Sequence, residues 1–321
     1  MTNPAPPPED PILQVSNLRT YFHTEDGIGR AVDGVSFQLA RGQTLGLVGE
    51  SGCGKSVTAL SVLRLVAPPG YVEGGQIHLR GRDLLQLPDK EMRKIRGDSV
   101  AMIFQEPMTS LNPVLTCGDQ IAEAVRLHQG VSADEARLRA IEMMRHVGIP
   151  APEQRVDEYP HQLSGGMRQR VGIAQTLLHM PRIIVVDEPT AGLDPLERIR
   201  FRNMLARVSQ NRIVVFSTHI VEDISGSCNQ LAVLDRGALL YTGSPASMRA
   251  LAQGKIWEAV LEEDPFARVE VGLNLVSHVR TSAGIRTRFL HEIPPDIPQA
   301  RPVEATLEDA YLYLLRSGRV A

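Results

Sequence analysis

Cysteine is scarce in this chain of 321 residues. Cys53, Cys117 and Cys228 are scattered, odd in number and without metal-ligand spacing. That excludes a disulfide framework and fits a reducing compartment. Aromatic residues make up only 4%, so a core here is built from aliphatic side chains. Charge of one sign is not in excess: 34 basic and 37 acidic residues leave a net −3, which argues against a nucleic-acid partner. No window reaches the roughly 18 uncharged apolar residues of a membrane span. The N-terminal MTNPAPPPEDP has no apolar centre, so it reads as a flexible leader over 1–11 and not as a signal peptide. What is present, 43% hydrophobic and 22% charged residues, is an ordinary globular balance with length for one large or two modest domains.

Residues 12–48 alternate apolar and polar positions around Gly27, Gly29, Gly34 and Gly42, which predicts strands and turns. Leu45, Leu47 and Val48 run into a glycine-rich loop. A helical pattern follows from Lys55 to Val66 and stops at Pro68-Pro69-Gly70. Further strands are expected at Gln76–Leu79 and Val100–Phe104, and helices over 118–148. Ser132 and Glu135 are spaced as a capping box inside that helical stretch. Ile183–Val186 and Ile213–Phe216 are unbroken apolar runs, as in a parallel sheet covered on both faces. Leu231–Leu234 and Ala238–Tyr241 flank Arg236-Gly237 as a hairpin. Beyond Ser244 the pattern weakens. Pro294-Pro295 to Pro302 reads as a linker, and Thr306 to Asp309 can cap a last short helix.

Residues 49–56 read GESGCGKS and match GxxxxGK[ST]. Glycines there let the backbone wrap phosphate oxygens, with amide N–H groups turned inward and the positive end of the next helix behind them. The loop Gly49, Glu50, Ser51, Gly52, Cys53, Gly54, Lys55, Ser56 and Val57 is therefore the candidate nucleotide site. Lys55 would reach the β- and γ-phosphates, and Ser56 would offer its hydroxyl to Mg²⁺. Arg182 to Glu188 is an apolar strand ending in two carboxylates. In P-loop ATPases an acid at such a strand end holds Mg²⁺, which assigns Asp187. Glu188 then stands where a general base would polarise the attacking water.

Leu163 to Arg170 reads LSGGMRQR. Between a phosphate loop and an acidic strand, this stretch resembles the signature of ABC-type ATPases. The resemblance covers about residues 12–245 and implies an α/β P-loop NTPase core of RecA-like type. An antiparallel β subdomain and a helical subdomain at about 106–165 complete that nucleotide-binding domain, and 246–321 forms a small C-terminal accessory region. It also implies a head-to-tail pair of ATPase domains, with ATP between the phosphate loop of one and Ser164, Gly165 and Gly166 of the other. By the same resemblance Gln105 is the Q-loop residue that contacts Mg²⁺. Asp194 in Ala191-Gly192-Leu193-Asp194 is the D-loop acid that communicates across the dimer. His219 is the switch histidine at the γ-phosphate. Phe22, four residues after Leu18, matches the aromatic that stacks on adenine, with Tyr21 as its rival. ATP and Mg²⁺ are the implied cofactors, and ATP hydrolysis the implied activity.

The stretches 46–66, 102–124 and 159–174 resemble the ATPases of dipeptide, oligopeptide and nickel importers. Transmembrane permease subunits, a second ATPase subunit (identical or paralogous) and a solute-binding protein are the partners that this resemblance implies, at the cytoplasmic side of the cell membrane. The second half differs. The AGLDP stretch at 191–195, GALLYTGSPASM at 237–248, QGKIWEA at 253–259 and the terminal helix at 307–315 look similar to exporter-type ATPases of drug and antibiotic efflux. The chain thus reads as a mosaic joined near 174–182, with efflux as the alternative direction. A soluble ABC ATPase of repair or translation is a third reading. One phosphate loop, and no long coiled-coil or zinc insertion, argue against it.

Overall fold

A computed structural model describes residues 11–104, 111–178, 180–189, 194–209, 211–221, 224, 226–262, 266, 274–297 and 299–318. Gln105 and Ala191-Gly192-Leu193 lie outside the described residues, as do residues 1–10 of the leader. The alternating N-terminal segment pairs as β1 (Leu13–Thr24) with β2 (Gly27–Leu39). With β4 (Gly70–Leu79) and β5 (Arg82–Asp83) they form an antiparallel sheet of order β2-β1-β4-β5. Leu13, Val15, Leu18 and Thr20 are buried along β1.

The second sheet has the order β10-β9-β3-β8-β7-β6. It contains β3 (Thr44–Val48), β6 (Val100–Ile103), β7 (Ile183–Asp187), β8 (Ile213–Thr218), β9 (Gln230–Asp235) and β10 (Ala238–Gly243). Pairing is parallel from β9 to β6, and β10 closes one edge antiparallel. Every residue of β3, β6, β7 and β8 is buried, which is why these strands read as continuous apolar runs. This is the α/β P-loop core with its antiparallel sheet, as the resemblance implied.

Helix α1 (Lys55–Val62) follows β3 and packs on β7 and β8. It ends four residues short of the expected Val66. Arg64 turns the chain with φ 53°, and its guanidinium donates to the Leu84 and Leu87 carbonyls. After α2 (Asp89–Ile95) come α3 (Cys117–Gln129), α4 (Ala133–His146) and the short α5 (Pro152–Arg155). Thr116 caps α3, and Gly130 closes it in the left-handed region. Only half of the expected box forms at α4. Ser132 accepts from the Glu135 amide, but the Glu135 carboxylate pairs with Arg139 one turn on. An exposed ion pair at i,i+4 competes here with the return bond to the cap. Helices α6 (Gly165–Leu177) and α7 (Pro195–Val208) complete this half.

Past residue 244 the chain is more ordered than its pattern suggests. Helix α8 (Pro245–Leu251) leads into β11 (Ile256–Leu261), β12 (Asn274–Thr281), β13 (Gly284–Leu290) and β14 (Arg301–Pro302), an antiparallel sheet of order β12-β13-β11-β14. Ala259, Leu261, Phe266, Ile285 and Phe289 form its small core. Helix α9 (Leu307–Ser317) then returns to the main body. Leu307, Ala310, Tyr311 and Leu315 join the core cluster that also holds Val186, Phe216 and Leu231. No helix among the described residues is long and apolar enough to cross a membrane.

Asp309 anchors that return. It is 1% exposed and closes a capping box with Thr306. It also takes the Arg288 fork, Nε to Oδ1 at 3.0 Å and Nη2 to Oδ2 at 2.6 Å. Burial alone would raise its pKa. Arg288 and the Thr306 amide and hydroxyl outweigh burial and hold the carboxyl below its ordinary 3.8. The charged form is favoured in the folded state, so this stabilisation is present above pH 3.8 and fades as pH falls below it. Asp309→Ala should cost about 2–3 kcal/mol at neutral pH, since it breaks a cap and a largely buried ion pair. Urea melts of parent and variant at neutral pH and below pH 3.8 would check it, with the difference shrinking in acid.

Candidate active site

Parallel pairing brings the carboxyl ends of β3, β7 and β8 together. Register partners Val48 and Thr218, and Asp187 and Ser217, put the three strand ends at one level. Each end carries a predicted residue: the loop 49–54 after β3, Asp187 and Glu188 at β7, and His219 just past β8. Ligands of open α/β sheets sit at this edge.

The loop needs its glycines for contact as well as for conformation. A Cβ on Gly49 would run into the Leu234 carbonyl and the Cys53 sulfur, and one on Gly54 into the Ala31 carbonyl. Gly52 (φ 80°) and Gly54 (φ 106°) lie in the left-handed region. Glu50 and Ser51 are exposed at the tip, and Val57 is half-buried in the first turn of α1. Helix α1 has neither a capping side chain nor an acidic residue in its first turn. Its positive end is thus left available to an anion.

Lys55 is 3% exposed. Its Nζ donates to the Gly49 carbonyl at 2.9 Å and the Glu50 carbonyl at 3.0 Å, and lies 3.4 Å from Glu188 Oε1. The other Glu188 oxygen is 3.1 Å from His219 Nδ1. One carboxylate therefore bridges the predicted phosphate lysine and the predicted switch histidine. Glu188 holds a left-handed backbone (φ 42°), unusual for a residue with a side chain, and its amide is tied to Ser217. Buried Asp187 accepts from Ser56 Oγ at 2.9 Å and also from Ser217 Oγ. A hydroxyl beside a carboxylate is a hard oxygen set, the kind that holds Mg²⁺ when phosphate and water supply the other ligands.

Ser164, Gly165 and Gly166 open α6, and Ser164 accepts the Met167 amide at 3.3 Å. Asp194 caps α7 through the Glu197 amide at 2.8 Å. The Glu197 carboxylate joins the two helices. It takes Arg170 at 2.7 Å and Arg200 at 2.6 Å, and it lies against the spot a Cβ on Gly166 would occupy. The predicted signature residues and the predicted D-loop acid thus form a second cluster. Gln169, buried in α6, links it to the first by donating to the Pro189 carbonyl just past Glu188. Sequence reasoning quoted Gln169 and Arg170 within LSGGMRQR without giving them a task. Ser217 has no predicted role, and its available signal is a pair of hydroxyls, Ser217-Thr218, that closes an apolar strand.

Phe22 is half-buried and pairs with Gly70, past the end of α1, where its ring and Val66 both lie against the spot a Cβ on Gly70 would occupy. Tyr21 points to the other face and donates to Asp33 Oδ1 at 2.9 Å, with Arg30 over its ring at 5.7 Å. Arg30 and Ala31 are the residues whose carbonyls approach Gly237 and Gly54. Among the described residues, no hydrogen bond or ring contact joins either aromatic to Lys55, Asp187, Glu188 or His219.

The sequence profile of the family described as ABC transporter matches residues 32–191. A probable peptide ABC transporter ATP-binding protein of Sinorhizobium fredii is 42% identical over 265 residues, 82% of this chain and 79% of that protein. The dipeptide transport ATP-binding protein DppD of Escherichia coli is 42% identical over 234 residues, 72% of each chain. Among solved structures, the dimeric ATP-binding cassette MJ0796 in a post-hydrolysis state bound to ADP and Pi matches with TM-score 0.65 and 26% identity, covering 72% of this chain and 98% of its own. This chain belongs to the ABC transporter ATPase family, whose members hydrolyse ATP. The 265-residue match necessarily runs past residue 182, so likeness to peptide-type relatives is not confined to the first half.

One outcome follows from the loop geometry and one from the burial of the thiols. Gly49→Ala should weaken ATP binding about 5- to 150-fold by calorimetry, because the overpacked loop costs about 1–3 kcal/mol and about 1.4 kcal/mol is one decade. The thiols should be inert. Burial raises Cys53 against the opposing pull of Lys55, pushes Cys117 up to about 11 and raises Cys228. Thiolate is the reactive form, so at pH 8 the folded protein should react with Ellman's reagent far more slowly than the urea-unfolded chain.

Proposed function

We propose that this ABC transporter ATP-binding subunit drives peptide import. The observation that carries the reading is the match, over most of the chain, to relatives named for peptide and dipeptide transport. The nucleotide-binding domain would span 12–245, with the helical subdomain at about 106–165, 1–11 as a leader and 246–321 as an accessory region that shares its core. Permease subunits would hold it at the cytoplasmic side of the membrane, with a second ATPase subunit opposite and a solute-binding protein delivering cargo.

Within the site, Lys55 and the amides of 49–57 would bind the β- and γ-phosphates. Ser56, Asp187 and Gln105 would hold Mg²⁺, which when bound neutralises phosphate charge. Incoming phosphate competes with the Glu188 carboxylate for Lys55. Released from that pair, Glu188 accepts a proton from water attacking in line at the γ-phosphorus, and His219 steadies the charge that develops there. Ser164, Gly165, Gly166 and Asp194 would serve the partner subunit's nucleotide. Because Glu197 and Gln169 connect α6 to α7 and to the β7 end, closure on a partner would be felt at Glu188. Phe22 would take the adenine, which requires it to leave its place beside Gly70, and Tyr21 is the rival nearer Arg30 and Ala31.

Glu188→Gln should lower turnover by about 10²–10⁴, the usual worth of a general base, while ATP still binds. Steady-state phosphate release together with equilibrium nucleotide binding decides it, and wild-type turnover in the variant refutes the role. Co-purification from host membranes in mild detergent tests the transport reading. Two permeases and a solute-binding protein support import, whereas a single efflux permease would make residues 237–321 the better guide.

A further inference from the structure

We propose that Ser217 is a positioning residue whose one hydroxyl holds the Asp187 carboxylate directly and the Glu188 carboxylate through the Glu188 backbone. The proposal rests on the assignment of Asp187 and Glu188 made above. Ser217 lies in β8 directly opposite Asp187 of β7 and is 1% exposed. Its Oγ donates to Asp187 Oδ1 and accepts the Glu188 amide at 3.0 Å, while its own carbonyl accepts the same amide at 3.1 Å.

The direction of each bond is forced. A backbone N–H can only donate, and an ionised carboxylate can only accept. The single hydroxyl proton therefore goes to Asp187, and a lone pair faces the Glu188 amide. Among the described residues, the other donor to Asp187 Oδ1 is Ser56, at 2.9 Å. If the Ser56 hydroxyl turns to Mg²⁺, Ser217 still holds Asp187 in place. Its second bond secures the left-handed turn (φ 42°) that aims the Glu188 carboxylate back at Lys55 and His219. A serine at this place, after the apolar run Ile213–Phe216, has no packing advantage over valine, since a buried hydroxyl is costly unless bonded.

Threonine and valine have nearly the same shape and differ in the hydroxyl, so full-length Ser217→Thr and Ser217→Val form the test. The probes are a fluorescent ATP analogue, titrated in EDTA and in Mg²⁺, and phosphate release across a Mg²⁺ series. In Ser217→Val the Mg²⁺ required for half-maximal binding enhancement should rise about 10–100-fold, the usual loss when a ligand's supporting partner is removed. Turnover should fall with it, and affinity for the analogue in EDTA should stay within about twofold. Ser217→Thr should keep the parent's Mg²⁺ response. Equal Mg²⁺ responses in the Val and Thr variants overturn the proposal. If thermal melts show either β-branched side chain disturbing the strand, Ser217→Ala, which adds no volume, is compared with the parent by the same criterion. A parent chain that shows no Mg²⁺-dependent nucleotide binding would instead refute the site assignment itself.

Discussion

Parallel hydrogen bonding of β3, β8 and β7 is the constraint on which everything else in this molecule rests. Ser56, Asp187 and His219 are far apart along the chain, and no local propensity brings them near one another. The registers Val48 with Thr218 and Asp187 with Ser217 do so at once, and at one edge. Crossover connections are obligatory between parallel strands, so each strand end is followed by chain that leaves the sheet. Here those exits are the phosphate loop, the Glu188 turn and the His219 turn. Burial of the strands on both faces makes the pairing rigid, and the site inherits that rigidity.

Charge balance inside this edge is already arranged before any ligand arrives. A lysine 3% exposed needs acceptors, and it has two carbonyls and one carboxylate. That carboxylate belongs to Glu188, the proposed general base. Binding an anion at Lys55 and freeing Glu188 are therefore one electrostatic exchange. The second cluster follows the same economy. Glu197 pairs with both Arg170 and Arg200 and lies against the spot a Cβ on Gly166 would occupy, so it ties the start of α6 to α7.

The C-terminal 75 or so residues show how far a weak pattern can hide structure. β13 reads Ile-Arg-Thr-Arg-Phe, with Ile285, Thr287 and Phe289 buried and Arg286 exposed, a period of two that was open to reading. β12 is largely exposed and carries no such signal, and β14 is two residues long. Their pairing is decided by β11 and β13 between them. The return of α9 to the main core depends on Arg288 reaching Asp309, a contact 21 residues apart in sequence.

Motif spacing, strand composition and cap residues were enough to determine the phosphate loop, the acidic strand and several helix starts, and the resemblance carried by LSGGMRQR gave the class of this protein. These are local: a glycine-rich turn, an apolar run and an N-cap each express chemistry within a few residues of chain. The Glu135 side chain shows the limit of that approach, because its choice of Arg139 over the cap is a competition between two local partners of similar worth. What the tertiary structure alone decided is of another kind. The bridge from Lys55 through Glu188 to His219, the double use of the Ser217 hydroxyl and the joining of α6 to α7 by Glu197 are all contacts between separate elements. Their partners lie 27 to 133 residues apart in the chain. Over that separation only the packed sheet and helices set the distance, and the energy of a charge or a buried hydroxyl depends on that distance and on the water excluded around it.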